Sequence, residues 1–118
     1  MKSDHANSGE GRIRMEIVVI DQFVVPPDAM SEFLETSRRV QKVLKTLPGF
    51  LEGFAYEKRD GDGRHNVITT VVWQNENAYR NARTAMADTL QSVSPNPQAV
   101  MRRLGIQIER GSFERTPF

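Results

Sequence analysis

The sequence predicts an α+β domain of the ferredoxin-like, split βαβ kind, a four-stranded antiparallel sheet carrying its helices on one face. Three observations lead there. Apolar residues alternate in four segments and recur at helical spacing in two longer ones, giving the order β-α-β-β-α-β with a short helix before the last strand. The breakers "VPPD", "LPGF", "DGDG" and "SPNP" fall between those segments. The first and third strands are apolar on both sides, which marks them as the central pair and leaves the second and fourth at the edges. A chain of 118 residues fills one domain, taken here as residues 14–118, with residues 1–13 as a disordered, solvated leader.

In the first strand Met15, Ile17, Val19, Phe23 and Val25 share one face and Val18, Ile20 and Val24 the other. "VPPD" ends it, because proline cannot extend a ladder but suits a helix's first turn, where Asp28 can cap or stabilise by charge. Met30, Phe33, Val40, Leu44 and Leu47, with Ser37 in the gap, then advance by threes and fours as one helical stripe. Arg38, Arg39, Gln41, Lys42 and Lys45 take the wet side, and "LPGF" stops the helix.

The second strand sets Phe50, Phe54 and Tyr56 against Leu51, Gly53 and Ala55, and "DGDG" turns it into the third as a hairpin. There Val67, Val71 and Trp73 face one way, Ile68 and Val72 the other. Asn75 is placed to cap a second helix with the stripe Tyr79, Ala82, Met86, Thr89 or Leu90, and Val93. A short helix over Gln98 to Leu104 closes at Gly105, and "IQIERGSF" is the last strand.

Composition removes several function classes. Sixteen basic and 15 acidic residues leave a formal charge of +1, and no basic run is interleaved with aromatics, which argues against nucleic acid. The longest aliphatic run, Ile17 to Ile20, falls far short of the roughly 20 residues that span a bilayer. "MKSDHANSGEGR" has no apolar signal region, and the absence of cysteine excludes disulfides and thiolate chemistry, so a cytoplasmic location is expected. His5 and His65 show no metal-ligand spacing with the carboxylates. A sheet apolar on both sides has one face its helices cannot reach. That patch exceeds what a monomer ordinarily exposes, and burying it gains about 25 cal/mol per Å². A homodimer through the sheet face is the expected cover.

The strand ending in Trp and its capped helix ("VVWQNENAYRNA"), the "LPGF" turn and the intervening hairpin together resemble the antibiotic biosynthesis monooxygenase (ABM) domain, over roughly Arg14 to Phe113. The resemblance implies a dimeric α/β barrel with a pocket between sheet and helices. It also implies, in some members, oxidation of polycyclic phenols such as anthrones to quinones without a cofactor. In those members an Asn on the third strand, the Trp that ends it and a Tyr early in the next helix line the pocket. The matching positions here are Thr69, Trp73 and Tyr79, so a hydroxyl stands where the family has an amide. The haem-degrading branch needs a helix Trp and an axial His where this chain reads Ala82 and Ser92, and is set aside.

Each candidate has two readings. Trp73 is a pocket wall or a core anchor. Tyr79 donates to a substrate oxygen or packs on its helix's apolar stripe, which Met86 continues. Arg83, one turn on, meets a substrate anion or solvent. Asp21 shares a face with Ile17, Val19 and Phe23, so it is either satisfied by an arginine at the dimer seam or lines a cavity. Gln22 and Thr69 orient a ligand or serve as structural hydrogen bonders. His65, beside "DGDGR", is turn material or a base. The expected function is oxygenation of a small aromatic or enolisable substrate. The alternative is a non-catalytic small-molecule-binding or stress-related protein on the same fold.

Overall fold

The structure is a computed structural model that describes residues 15–92 and 95–118. β1 (Ile17–Val24) and β3 (Val67–Trp73) pair antiparallel at the centre of a sheet ordered β2-β3-β1-β4, with β2 (Phe50–Glu57) and β4 (Gln107–Phe113) at its edges. α1 (Met30–Leu44) connects β1 to β2, while α2 (Glu76–Ser92) and α3 (Pro97–Arg103) lie between β3 and β4. This is the split βαβ order read from the sequence. No helix among the described residues is long and apolar enough to cross a membrane. The leader, residues 1–13, and Val93 at the end of the α2 stripe lie outside the described residues.

β1 alternates strictly: Ile17, Val19, Asp21 and Phe23 are buried, and the residues between them are half-buried. Their register partners on β3 are Trp73, Val71, Thr69 and Val67, so these eight side chains share the helix-facing side. Two apolar clusters form on it. One gathers Ile17, Val19, Val71, Trp73 and Ala82 with Leu44, Leu47, Phe50, Ala78 and Tyr79 around them. The other gathers Phe23, Val25, Ala29, Phe33 and Val67 with Met30, Leu34, Met101, Leu104 and Ile106. α2 and the C-terminal end of α1 therefore cover one end of the sheet, and the start of α1 with α3 the other.

Three local features depart from simple alternation. A register shift between Phe50 and Glu52 sets Phe50 opposite Trp73 and Glu52 opposite Val72. The bulge inverts the pleat, so Phe50 joins the helix-side core while Phe54 and Tyr56, opposite Thr70 and Ile68, point the other way. Those three aromatics do not share a face as the alternation suggested. Asp28 makes no capping bond: the 3-10 turn Pro27–Ala29 that leads into α1 is closed by the Ala29 amide on the Pro26 carbonyl at 2.9 Å, and Asp28 adds only its charge. Thr36, absent from the apolar stripe, is fully buried on α1 because its hydroxyl donates back to the Glu32 carbonyl at 2.9 Å.

The Asn75 cap sits where the sequence placed it, and the structure adds a second at Asn96. The Asn75 side chain accepts from the Ala78 amide at 2.9 Å. Asn96 does the same for Gln98 and Ala99 at the start of α3. Asn66 clamps the end of β1, donating to the Val25 carbonyl at 2.8 Å and accepting from its amide at 2.9 Å. On the opposite side of the sheet, Val18, Ile20 and Val24 from β1 meet Ile68 and Val72 from β3. Phe54, Tyr56 and Phe113, which flank them from the edge strands, remain 52%, 54% and 52% exposed.

Candidate functional site

The strand register builds a polar row across an otherwise apolar floor. Asp21 on β1 stands opposite Thr69 on β3 and Arg110 on β4, so the three side chains line up on the helix-facing side. The row separates the two apolar clusters, one centred on Val19 and Val71, the other on Phe23 and Val67. Asp21 is only 8% exposed and is the single buried ionisable residue among the described ones. It is held by a two-bond fork: Arg110 Nε donates to Oδ1 at 2.7 Å and Nη2 to Oδ2 at 2.8 Å. The hydrogen bond to Asp21 raises the Arg110 pKa above its ordinary value; burial opposes this, and the charge of Asp21 and then that of Tyr79 reinforce it. The guanidinium thus stays charged.

Tyr79 enters from the first turn of α2. The Asn75 cap and the Tyr79 amide on the Asn75 carbonyl at 3.1 Å fix that turn. The Arg83 guanidinium lies over the Tyr79 ring, 5.6 Å from its centroid, a cation–π contact one helical turn long. Beside them opens a cleft of about 450 Å³ lined by Ile17, Glu76, Tyr79, Ser112, Phe113 and Glu114, a size that takes a small organic ligand. Glu76 on its rim is paired with Arg80 at 3.0 Å.

Of the sequence candidates, only Tyr79 lines this cleft; Arg83 stacks on its ring, and Asp21 and Thr69 stand farther along the same face of the sheet, outside the lining. Trp73 does not line it. It is 3% exposed, packed edge-on to Phe50 with ring centroids 5.8 Å apart, inside the core under α2. Met86 is half-buried farther along α2 and is likewise absent from the lining. Gln22 points to the other side of the sheet, where with Val24, Arg64, His65, Gln107, Ile108 and Glu109 it borders a separate hollow of about 400 Å³.

Arg110 and Ser112 were missed by sequence reasoning. The signal was present: on a strand whose Ile106 and Ile108 face inward, positions 110 and 112 face inward too. An inward carboxylate at Asp21 needed a partner, and the arginine that satisfies it belongs to the same chain.

The sequence profile described as Antibiotic biosynthesis monooxygenase matches residues 16–87. No curated protein matches the chain. Among solved structures, SnoaB, a cofactor-independent oxygenase from Streptomyces nogalater, superposes with a TM-score of 0.64 at 21% identity, covering 87% of this chain and 95% of that one. A dimeric ferredoxin-like protein from an uncultured marine organism gives 0.65 at 11% identity, covering 87% and 97%. A conserved protein from Methanosarcina mazei Go1 gives 0.65 at 12% identity, covering 91% and 99%. These likenesses are of fold.

Proposed function

The chain belongs to the antibiotic biosynthesis monooxygenase family, and from that premise we propose that it oxygenates a small aromatic or enolisable substrate in the cleft beside Tyr79, without a cofactor. The observation that carries this reading is that Tyr79 lines an opening of ligand size, with Thr69 and the Asp21–Arg110 pair farther along the same face of the sheet.

An electron-rich phenol such as an anthrone loses a ring-carbon proton to solvent and becomes an anion delocalised onto its oxygen. Tyr79 donates a hydrogen bond to that oxygen, and the Arg83 cation over the ring strengthens the phenol as a donor. Thr69, shorter than an amide, offers one hydroxyl on the same face of the sheet. The anion then reacts with dioxygen. The methylene carbon gives up two hydrogens and four electrons and gains one oxygen atom as a carbonyl, and the second oxygen atom leaves as water. Trp73 supports the site from beneath as part of the core.

The other face of the sheet serves assembly. We infer that a second copy covers Val18, Ile20, Phe54, Tyr56 and Phe113, as the exposure of those aromatics demands. That a neighbour of the same fold is described as dimeric supports a dimer here.

Tyr79→Phe removes one hydrogen bond to a developing anion, worth about 1.5–3 kcal/mol. Oxygen uptake with 1,8-dihydroxyanthrone is expected to fall at least ~10-fold in this variant, with the thermal transition and the solution mass unchanged. An unaltered rate contradicts the role. The second reading, a non-catalytic binder, is favoured by Thr69 standing at the family's amide position. Under it the wild-type protein binds the anthrone yet consumes no oxygen beyond the buffer background.

A further inference from the structure

We propose that Glu114 sets the charge class of molecule that the cleft beside Tyr79 admits: amine-bearing and neutral aromatics are accepted, and carboxylated ones are turned away. The inference rests on the reading of the cleft as the substrate site and adds to it a class of substrate.

The two charged residues in the cleft lining, Glu76 and Glu114, are both acidic, and no lysine or arginine belongs to that lining. Their charges are not equally available. Glu76 is committed to Arg80, one turn along α2, at 3.0 Å. Glu114, just past the end of β4, makes no ion pair or hydrogen bond among the described residues. The neighbouring cations are held elsewhere. Arg115, next in sequence, pairs with Glu16 at 3.9 Å, and Arg110 is forked on Asp21. Arg83 lies over the Tyr79 ring, outside the lining.

A molecule in the cleft therefore meets one uncompensated negative charge on the wall it touches. The hydroxyls of Tyr79 and Ser112 donate or accept, so they favour neither sign of charge. Glu114 decides. Two unit charges about 4 Å apart in water shift an equilibrium roughly fivefold, in favour of an ammonium and against a carboxylate. Glu114 is exposed, so the effect stays in that aqueous range and weakens with salt. The preference concerns a charge the substrate carries on arrival. The oxyanion formed in the reaction is met by Tyr79, which the Arg83 cation strengthens as a donor.

The test is calorimetric titration of the full chain, near neutral pH, with three molecules of one shape: 2-naphthylmethylamine, 2-naphthalenemethanol and 2-naphthoate. Each is titrated at about 0.01 M and about 1 M salt, where charges are felt over roughly 30 Å and roughly 3 Å. At low salt wild type is expected to bind the amine at least ~5-fold tighter than the acid, with the alcohol between them, and the gap is expected to close at high salt. Glu114→Gln keeps the length of the side chain and breaks no ion pair, and in this variant amine and acid are expected to bind within about twofold of each other at either salt. Equal binding of amine and acid by wild type overturns the inference and leaves the cleft standing as the site. So does a Glu114→Gln variant that keeps the preference, or a preference that salt does not move. If wild type binds none of the three, the reading of the cleft falls and this inference with it.

Discussion

Replacing Gly49 by alanine is expected to destabilise the fold by about 3 kcal/mol, the sum of two costs at one position. Gly49 has φ +85°, a left-handed conformation that costs an L-residue about 1–2 kcal/mol. A Cβ built there overlaps the Ala78 Cβ on the first turn of α2, with backbone behind it and no flexible side chain to give way. Overpacking of that kind adds about 1–3 kcal/mol. The same glycine's carbonyl accepts from the Gln74 amide at 2.8 Å, so the "LPGF" turn and the start of the Tyr79 helix are one unit. Thermal unfolding should show the midpoint lowered by more than ~10 °C, given roughly 4–8 °C per kcal/mol in a domain of this size. A drop under ~3 °C would show that the turn and helix are not locked together. The effect should extend to the site, because Tyr79 lies one residue past the point of overlap.

Trp73→Ala is expected to cost about 3–5 kcal/mol, the range for deleting a buried aromatic, while Trp73→Phe costs about 1–2 kcal/mol and leaves turnover within a few-fold of wild type. The contrast separates packing from chemistry. A buried ring set edge-on to Phe50 and surrounded by Leu44, Leu47 and Ala82 contributes area and shape, which phenylalanine partly restores. Were the indole a participant in the reaction, Trp73→Phe would keep the fold and lose the activity. Denaturant unfolding together with the anthrone assay on both variants distinguishes these results.

The order of elements and the central position of β1 and β3 were legible because alternation and breakers are local signals. The helix start at Asn75 was legible for the same reason, since a cap bonds within its own turn, whereas the Asn96 cap was not singled out. What the pattern could not carry was the bulge at Phe50. It depends on how β2 meets β3, and it sends Phe54 and Tyr56 to the face opposite Phe50. Thr36 was illegible because a back-bonded threonine behaves as an apolar residue while reading as a polar one.

The site divided in a similar way. Tyr79 and Thr69 came from residue-by-residue likeness, and Asp21 from the cost of a carboxylate on an apolar face. Arg110 needed the pairing of β1 with β4 across 89 positions of sequence, which no single segment states. Trp73 drew attention as a conspicuous residue at a strand end, yet the position that makes it conspicuous also places it under α2, away from the cleft lining.

Assembly determines which side of the sheet is left for chemistry. If the face bearing Ile20, Phe54 and Phe113 is closed by a second copy, the helix-side cleft is the open hollow at the Tyr79 end of the sheet. Sedimentation equilibrium at micromolar concentration is expected to return twice the 13.4 kDa of one chain. A homogeneous species at 13.4 kDa would leave those aromatics in water, and would contradict both the paired sheets and the assignment of the helix side as the working face.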